Sequence, residues 1–205
     1  MNPYRLYLVT DEQLSVDRLQ HVVGEAVAGG VTLVQVREKH GDVRAFIERA
    51  EAVQDVLRGT GVPLIINDRV DVALAVNADG VHLGQSDMPA AYARRLLGPD
   101  RLLGLSVESD GQLLEAESLP VDYLGLSAIF ATPTKTNLIK EWGLNGLSRA
   151  LTQSSHPIVA IGGIHAGNLR EVSKTGVHGV ALVSAICAAP CPRSAAAMLI
   201  SHMGE

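Results

Sequence analysis

The 205-residue chain sets 17 lysines and arginines against 22 aspartates and glutamates, a formal net charge of −5, and has no basic run longer than two residues. Nucleic acid and anionic membranes are therefore unnatural partners, and any positive charge that binds an anionic substrate must be concentrated at a site. The length suits one well-buried domain, and 47 % hydrophobic residues with only 3 % aromatics require an aliphatic, alanine-rich core.

In chain order, short apolar runs alternate with longer amphipathic segments. Strand-like runs end near Val9, Val36, Ile66, Leu83, Leu105, Leu126, Ile161 and Val183. Helical periodicity fills Ser15–Ala28, Asp42–Leu57, Met88–Leu97, Glu108–Ser118, Leu144–Gln153 and Ala166–Thr175, with a short helix starting near Arg69. Gly29-Gly30, Pro63, Gly98-Pro99, Pro120, Pro157 and Gly176 mark the transitions. Eight strands alternating with helices, without a break in composition, predict an α/β fold: a single-domain (β/α)8 TIM barrel over residues 1–205. An open doubly wound sheet is the other arrangement, but no Gly-x-Gly-x-x-Gly follows the first strand. The chain enters its first strand within a few residues, and no apolar run reaches transmembrane length. Cys187 and Cys191 offer no disulfide framework, so a cytoplasmic protein is expected.

Barrels of this kind carry their chemistry at the C-terminal strand ends. The residues there are Thr10-Asp11, Gln35 to Lys39, Asn67-Asp68-Arg69, Gln85-Ser86-Asp87, Ser106, Thr132 to Asn137, Gly162-Gly163 and Ser184. In Gln35-Val-Arg-Glu-Lys39 alternation puts Gln35, Arg37 and Lys39 on one side of an extended segment. The bland reading is a solvated strand end with Arg37 paired to Glu38 or a nearby helix. Asp68 and Asp87 end neighbouring strands and suit a hard divalent cation, although each can equally cap a following helix. Two cations facing two carboxylates make a metal-plus-pyrophosphate site plausible chemistry. Thr132-Pro-Thr-Lys-Thr-Asn137 is either an ordinary turn or a mobile phosphate-binding loop that adds Lys135. Gly162-Gly163 with Ser184 offers backbone N–H groups to a second phosphate, or simply a tight turn. None of the seven histidines has a metal-binding spacing, and they read as packing or surface residues; His82 is expected to face the helix layer. No Gly-x-Ser-x-Gly supports a serine hydrolase.

Nine segments, in this order and spacing, resemble the thiamine-phosphate synthase family along nearly the whole chain. They are Tyr7-Leu-Val-Thr-Asp11, Gln35-Val-Arg-Glu-Lys39, Ile66-Asn-Asp-Arg69, Asp79-Gly-Val-His-Leu-Gly-Gln85, Asp87-Met-Pro89, Asp122-Tyr-Leu-Gly125, Thr132-Pro-Thr-Lys135, Ala160-Ile-Gly-Gly-Ile164 and Val183-Ser-Ala-Ile186. The resemblance implies a (β/α)8 barrel and a transferase that joins the diphosphate of a hydroxymethyl-aminopyrimidine to a thiazole phosphate, giving thiamine phosphate and pyrophosphate. It implies that Gln35, Arg37, Lys39 and Asn67 bind the pyrimidine diphosphate, with Val36 and Glu38 in the same binding segment. Asp68 and Asp87 would hold one Mg²⁺ per subunit. Arg37, Lys39, Ser106 and Lys135 would be the catalytic set, Lys135 on the leaving group. Thr132, Pro133, Thr134, Gly163, Val183 and Ser184 would bind the thiazole phosphate. Partners would be these small molecules, with neither nucleic acid nor membrane, and a homo-oligomer is compatible.

Three positions depart from the family pattern: Ser127-Ala128 where Gly-Pro is frequent, Val107-Glu108 after Ser106, and Cys191 where an acidic residue often precedes the last proline. A related thiazole tautomerase typically has a histidine where this chain has Ala128 and generally lacks the Thr-x-Thr-Lys loop. A non-catalytic thiamine-phosphate sensor would have lost a metal carboxylate or a leaving-group cation. Both alternatives fit this sequence less well than the synthase.

Overall fold

The computed structural model describes residues 2–132 and 141–204. Eight parallel strands close into a barrel in sequence order: β1 Leu6–Val9, β2 Leu33–Val36, β3 Leu64–Asn67, β4 Gly80–Leu83, β5 Leu102–Val107, β6 Tyr123–Ser127, β7 Ile158–Ile161 and β8 Gly179–Leu182. Closure comes from β1 pairing with β8, Tyr7 opposite Ala181. The expected (β/α)8 barrel is the fold observed.

Helices cover the outside: α1 Val16–Ala28, α2 Val43–Leu57, α3 Val70–Ala75, α4 Ala90–Leu97, α5 Asp110–Ala116, α6 Gly143–Gln153, α7 Leu169–Ser173, α8 Ser184–Cys187 and α9 Pro192–His202. Three start on a side-chain cap, which satisfies N–H groups that have no partner within the helix. Ser15 accepts from Arg18, Asp42 from Arg44 and Ala45, and Ser109 from Gln112. No described helix is long and apolar enough to cross a membrane. Cys191 is exposed just before α9, away from the strand ends that carry the cavity.

Strand alternation divides the core in two. Outward residues such as Leu8, Val34, Ile66, Val81, Leu103 and Leu124 pack against the helices in the larger cluster. Inward residues Tyr7, Leu33, Ile65, Tyr123, Val159 and Ala181 fill the barrel with Tyr4. Complete burial of each such aliphatic side chain stabilises the fold by roughly 1.5–3 kcal/mol. Three of the four tyrosines meet here: the Tyr4 and Tyr123 rings lie 4.9 Å apart and those of Tyr7 and Tyr123 6.1 Å apart.

At the N-terminal end, carboxylates satisfy strand N–H groups. Asp79 accepts from Leu64 at 2.7 Å, and Asp122 from Leu103 at 2.7 Å and Arg94 at 2.6 Å. Asp79 is therefore structural. The opposite end remains open and polar.

Candidate active site

The C-terminal strand ends surround a cavity of about 670 Å³. On β2 and its continuation, Gln35, Arg37 and Lys39 line it. Alternation sends the intervening residues outward: Val36 is fully buried in the sheet–helix core, and Glu38 pairs with Arg49 of α2 at 2.6 Å. The side chains of Val36 and Glu38 thus do not enter the cavity, as the alternation along this segment requires. Arg37 is not paired with Glu38. Its backbone N–H donates to Thr10 Oγ1 at 3.1 Å, and its guanidinium has no hydrogen bond or ion pair among the described residues.

Asp68, just after β3, has a left-handed backbone, φ 62°, a conformation that non-glycine residues adopt at a cost of about 1–3 kcal/mol. Its N–H donates to the His82 carbonyl at 2.8 Å, and its carboxylate pairs with Lys39. It does not cap α3; Arg69 occupies that position and no side chain caps it. Asp87 does not cap α4 either. Pro89 is the capping residue, and Asp87 Oδ2 accepts from the Gly84 N–H at 2.6 Å, closing the turn after β4. That turn brings Asp87 against Asp68. Burial raises the Asp68 carboxyl above its usual range, Asp87 adds to the rise, and Lys39 opposes it. Two crowded carboxylates with one held above its normal pKa form a place where added positive charge is favourable. Beside them Asn67, 5 % exposed, points a buried amide Nδ2 without a hydrogen-bond partner into the cavity wall.

His82 corrects the expectation that it faces the helix layer. It faces the barrel interior, with Nδ1 3.0 Å from Tyr123 Oη and Nε2 2.9 Å from Ser106 Oγ. Its neighbours explain why. A Cβ at Gly104 would lie 2.2 Å from Tyr123 Cζ and 2.5 Å from His82 Nδ1, and one at Gly125 would lie 3.0 Å from His82 Cε1. Glycines on β5 and β6 leave the slot that the two rings fill. In Gly80-Val-His-Leu83, Val81 and Leu83 are the fully buried apolar pair, so alternation already assigned His82 to the other face. Tyr7, Tyr123, His165 and Asn168 also line the cavity and were not singled out in the sequence.

Across the mouth, Thr132, Gly163, Val183 and Ser184 line the same cavity, Ser184 as the first residue of α8. Gly163 has φ 65°, and a Cβ there would meet the Ala131 carbonyl at 2.6 Å, so glycine lets the segment after β6 cross close to the end of β7. Asn168 Nδ2 donates to the Gly163 carbonyl at 2.9 Å and fixes this turn. Pro133, Thr134 and Lys135 lie outside the described residues.

The family model described as thiamine monophosphate synthase matches residues 6–186. The chain belongs to this family. A thiamine-phosphate synthase of Vibrio parahaemolyticus is 69 % identical over 203 residues, covering 99 % of this chain and all of the relative. One from Albidiferax ferrireducens is 55 % identical, covering 95 % of this chain and 90 % of its own. The solved thiamine phosphate pyrophosphorylase of Pyrococcus furiosus superposes with a TM-score of 0.88 at 38 % identity, covering 98 % of this chain and 96 % of that one. A 3-hexulose-6-phosphate synthase structure, 17 % identical with a TM-score of 0.73, shares the fold alone. Within the thiamine monophosphate synthase family frame, the residues brought together by this chain are Gln35, Arg37, Lys39, Asn67, Asp68, Ser106, Thr132, Gly163, Val183 and Ser184. Asp87 joins them through its contact with the Asp68 carboxylate.

Proposed function

We infer that the chain is a thiamine-phosphate synthase. It transfers the 4-amino-2-methylpyrimidin-5-ylmethyl group from its diphosphate to 4-methyl-5-(2-phosphoethyl)thiazole, giving thiamine phosphate and pyrophosphate. One observation carries the reading: the Arg37 guanidinium, free of described partners, opens into the same cavity as the Lys39–Asp68 pair, with Asp87 beside it. That combination suits a polyanion bound together with a metal ion.

Mg²⁺ fits the donor set. The described residues contain no cluster of three or more metal-binding side chains. An ion at Asp68 and Asp87 would therefore complete its shell with water and substrate oxygens, as Mg²⁺ commonly does. When bound, it would supply charge neutralisation to the departing pyrophosphate.

The remaining chemistry is positioning. Arg37 and Lys39 hold the outer oxygens of the diphosphate, and Lys135 meets the negative charge that grows as the C–O bond breaks. Asn67 and Gln35 present amide groups to the aminopyrimidine, and Ser106 its hydroxyl. The electron-rich ring delocalises the positive charge left on its methylene, so departure can precede capture by the thiazole nitrogen. Thr132, Thr134 and the turns at Gly163 and Val183-Ser184 hold the thiazole phosphate and set that nitrogen within reach. Phosphorylated substrates that do not cross membranes unaided accord with a cytoplasmic location.

The test is pyrophosphate release by the purified chain given both substrates, with and without Mg²⁺. Release that requires both substrates and the metal supports the reading. Binding of thiamine phosphate without turnover would refute it.

A further inference from the structure

Five polar side chains enter the barrel from five strands and form one continuous hydrogen-bonded chain. Gln35 Nε2 lies 2.6 Å from Tyr7 Oη, which lies 2.9 Å from Tyr123 Oη. Tyr123 Oη lies 3.0 Å from His82 Nδ1, and His82 Nε2 lies 2.9 Å from Ser106 Oγ. The two phenols are 1 % and 0 % exposed, and burial holds both far above the usual phenol range, so each keeps its hydrogen.

A buried hydroxyl has one hydrogen and must place it on an acceptor. Gln35 donates its amide N–H to Tyr7, so the Tyr7 hydrogen passes to Tyr123 and the Tyr123 hydrogen to His82 Nδ1. His82 Nδ1 then holds a lone pair, the ring hydrogen sits on Nε2, and Nε2–H donates to Ser106 Oγ. The Ser106 hydrogen is left for the cavity, which Ser106 lines. At the other end, Gln35 gives one of its two amide hydrogens to Tyr7, which turns its carbonyl oxygen away from Tyr7 in the cavity that Gln35 lines. Reversing any link would require reversing all of them.

We propose that His82 is a positioning residue, held by Tyr123 as the Nε2–H tautomer, so that the site offers a donor at Ser106 and an acceptor at Gln35. A ligand with an acceptor atom at Ser106 and a donor at the Gln35 carbonyl matches this pattern. An aminopyrimidine supplies both, through its ring nitrogens and its exocyclic amine. A pyrimidine carrying an oxo group in place of the amine has the opposite polarity at that edge and is disfavoured. This consequence rests on the synthase reading above; the polarity of the chain does not.

Two measurements test it. ¹⁵N NMR of the imidazoles in the full chain without substrate reads the tautomer, the His82 signals being assigned by their loss in His82→Gln. An unprotonated Nδ1 with a protonated Nε2 is expected, and a protonated Nδ1 would overturn the proposal whether or not the chain is a synthase. In pyrophosphate release, Ser106→Ala and Tyr123→Phe should each lower kcat/KM about ten-fold, the loss of one buried hydrogen bond. The double variant should be no worse than Ser106→Ala alone. Losses that multiply would mean that Tyr123 acts only through packing, and would contradict the relay. If Tyr123→Phe fails to fold, the tautomer measurement alone decides.

Discussion

Lys39, three residues beyond the end of β2, and Asp68, just after β3, form an ion pair at the cavity mouth. The same lysine is the group expected on the diphosphate, and the same aspartate the group expected on the metal. Each therefore sits where the other's expected ligand would bind. Lys39→Ala should tighten binding of Mg²⁺ alone several-fold, since a competing cation is removed, while weakening binding of the diphosphate substrate. Titration calorimetry with each ligand separately reads both signs. Weaker binding of both would mean that Lys39 only holds Asp68 in place.

The Arg37 guanidinium has no described hydrogen-bond or ion-pair partner to lose, and its backbone bond to Thr10 survives a side-chain change. Arg37→Ala should leave the thermal transition essentially unchanged and lower kcat by roughly 10²–10³-fold, the scale of removing one preorganised donor from developing charge. Lys135→Ala should do the same. Near-normal turnover in either variant would remove that residue from the leaving-group contacts.

Gly104 creates the space for the His82–Tyr123 pair. Gly104→Ala should destabilise the barrel by about 1–3 kcal/mol through overpacking, because the new Cβ meets two packed rings rather than a flexible chain end. A urea transition reads the loss. Gly111→Ala, whose added Cβ meets nothing nearer than 3.9 Å, is the matched control on α5.

The barrel was legible in the sequence because its signals are local. Each strand is a short apolar run ending in polar residues, and each long helix has a clear apolar face. The C-terminal helix α9 was not read, since alanines such as Ala195, Ala196 and Ala197 blur the contrast between its two faces. The cavity-lining positions followed from strand ends plus resemblance. What was not legible depended on neighbours distant in sequence. His82 turns inward into a slot made by Gly104 and Gly125, and Asp68 serves Lys39 rather than the helix that follows it. Alternation alone would have placed His82, had it been applied to β4 as it was to β2.

Glu117, at the end of α5, ties that helix to the segment after α6. It accepts from Ser154 Oγ at 2.5 Å, Ser155 N at 2.9 Å and Ser155 Oγ at 2.6 Å. Partial burial raises its carboxyl, but these serine donors outweigh it and leave the pKa below the ordinary 4.5. A depressed folded-state pKa stabilises the fold above the unfolded value, and that contribution is lost as pH falls through the folded value. Glu117→Gln should therefore be less stable than the parent at pH 7, with the difference shrinking below about pH 4.5, the unfolded reference. Thermal scans across that range check it. A constant difference would show that the amide substitution acts through shape alone.

On the synthase reading, Asp68 and Asp87 hold the metal that meets the pyrophosphate. The most direct measurement is a crystal structure of the chain with Mn²⁺ in place of Mg²⁺ and with pyrophosphate, using anomalous scattering to locate the metal. One metal peak is expected between Asp68 and Asp87, sharing a pyrophosphate oxygen, with Arg37 on the outer oxygens. Pyrophosphate bound in the cavity with no metal at those two carboxylates, or metal bound elsewhere, would contradict it.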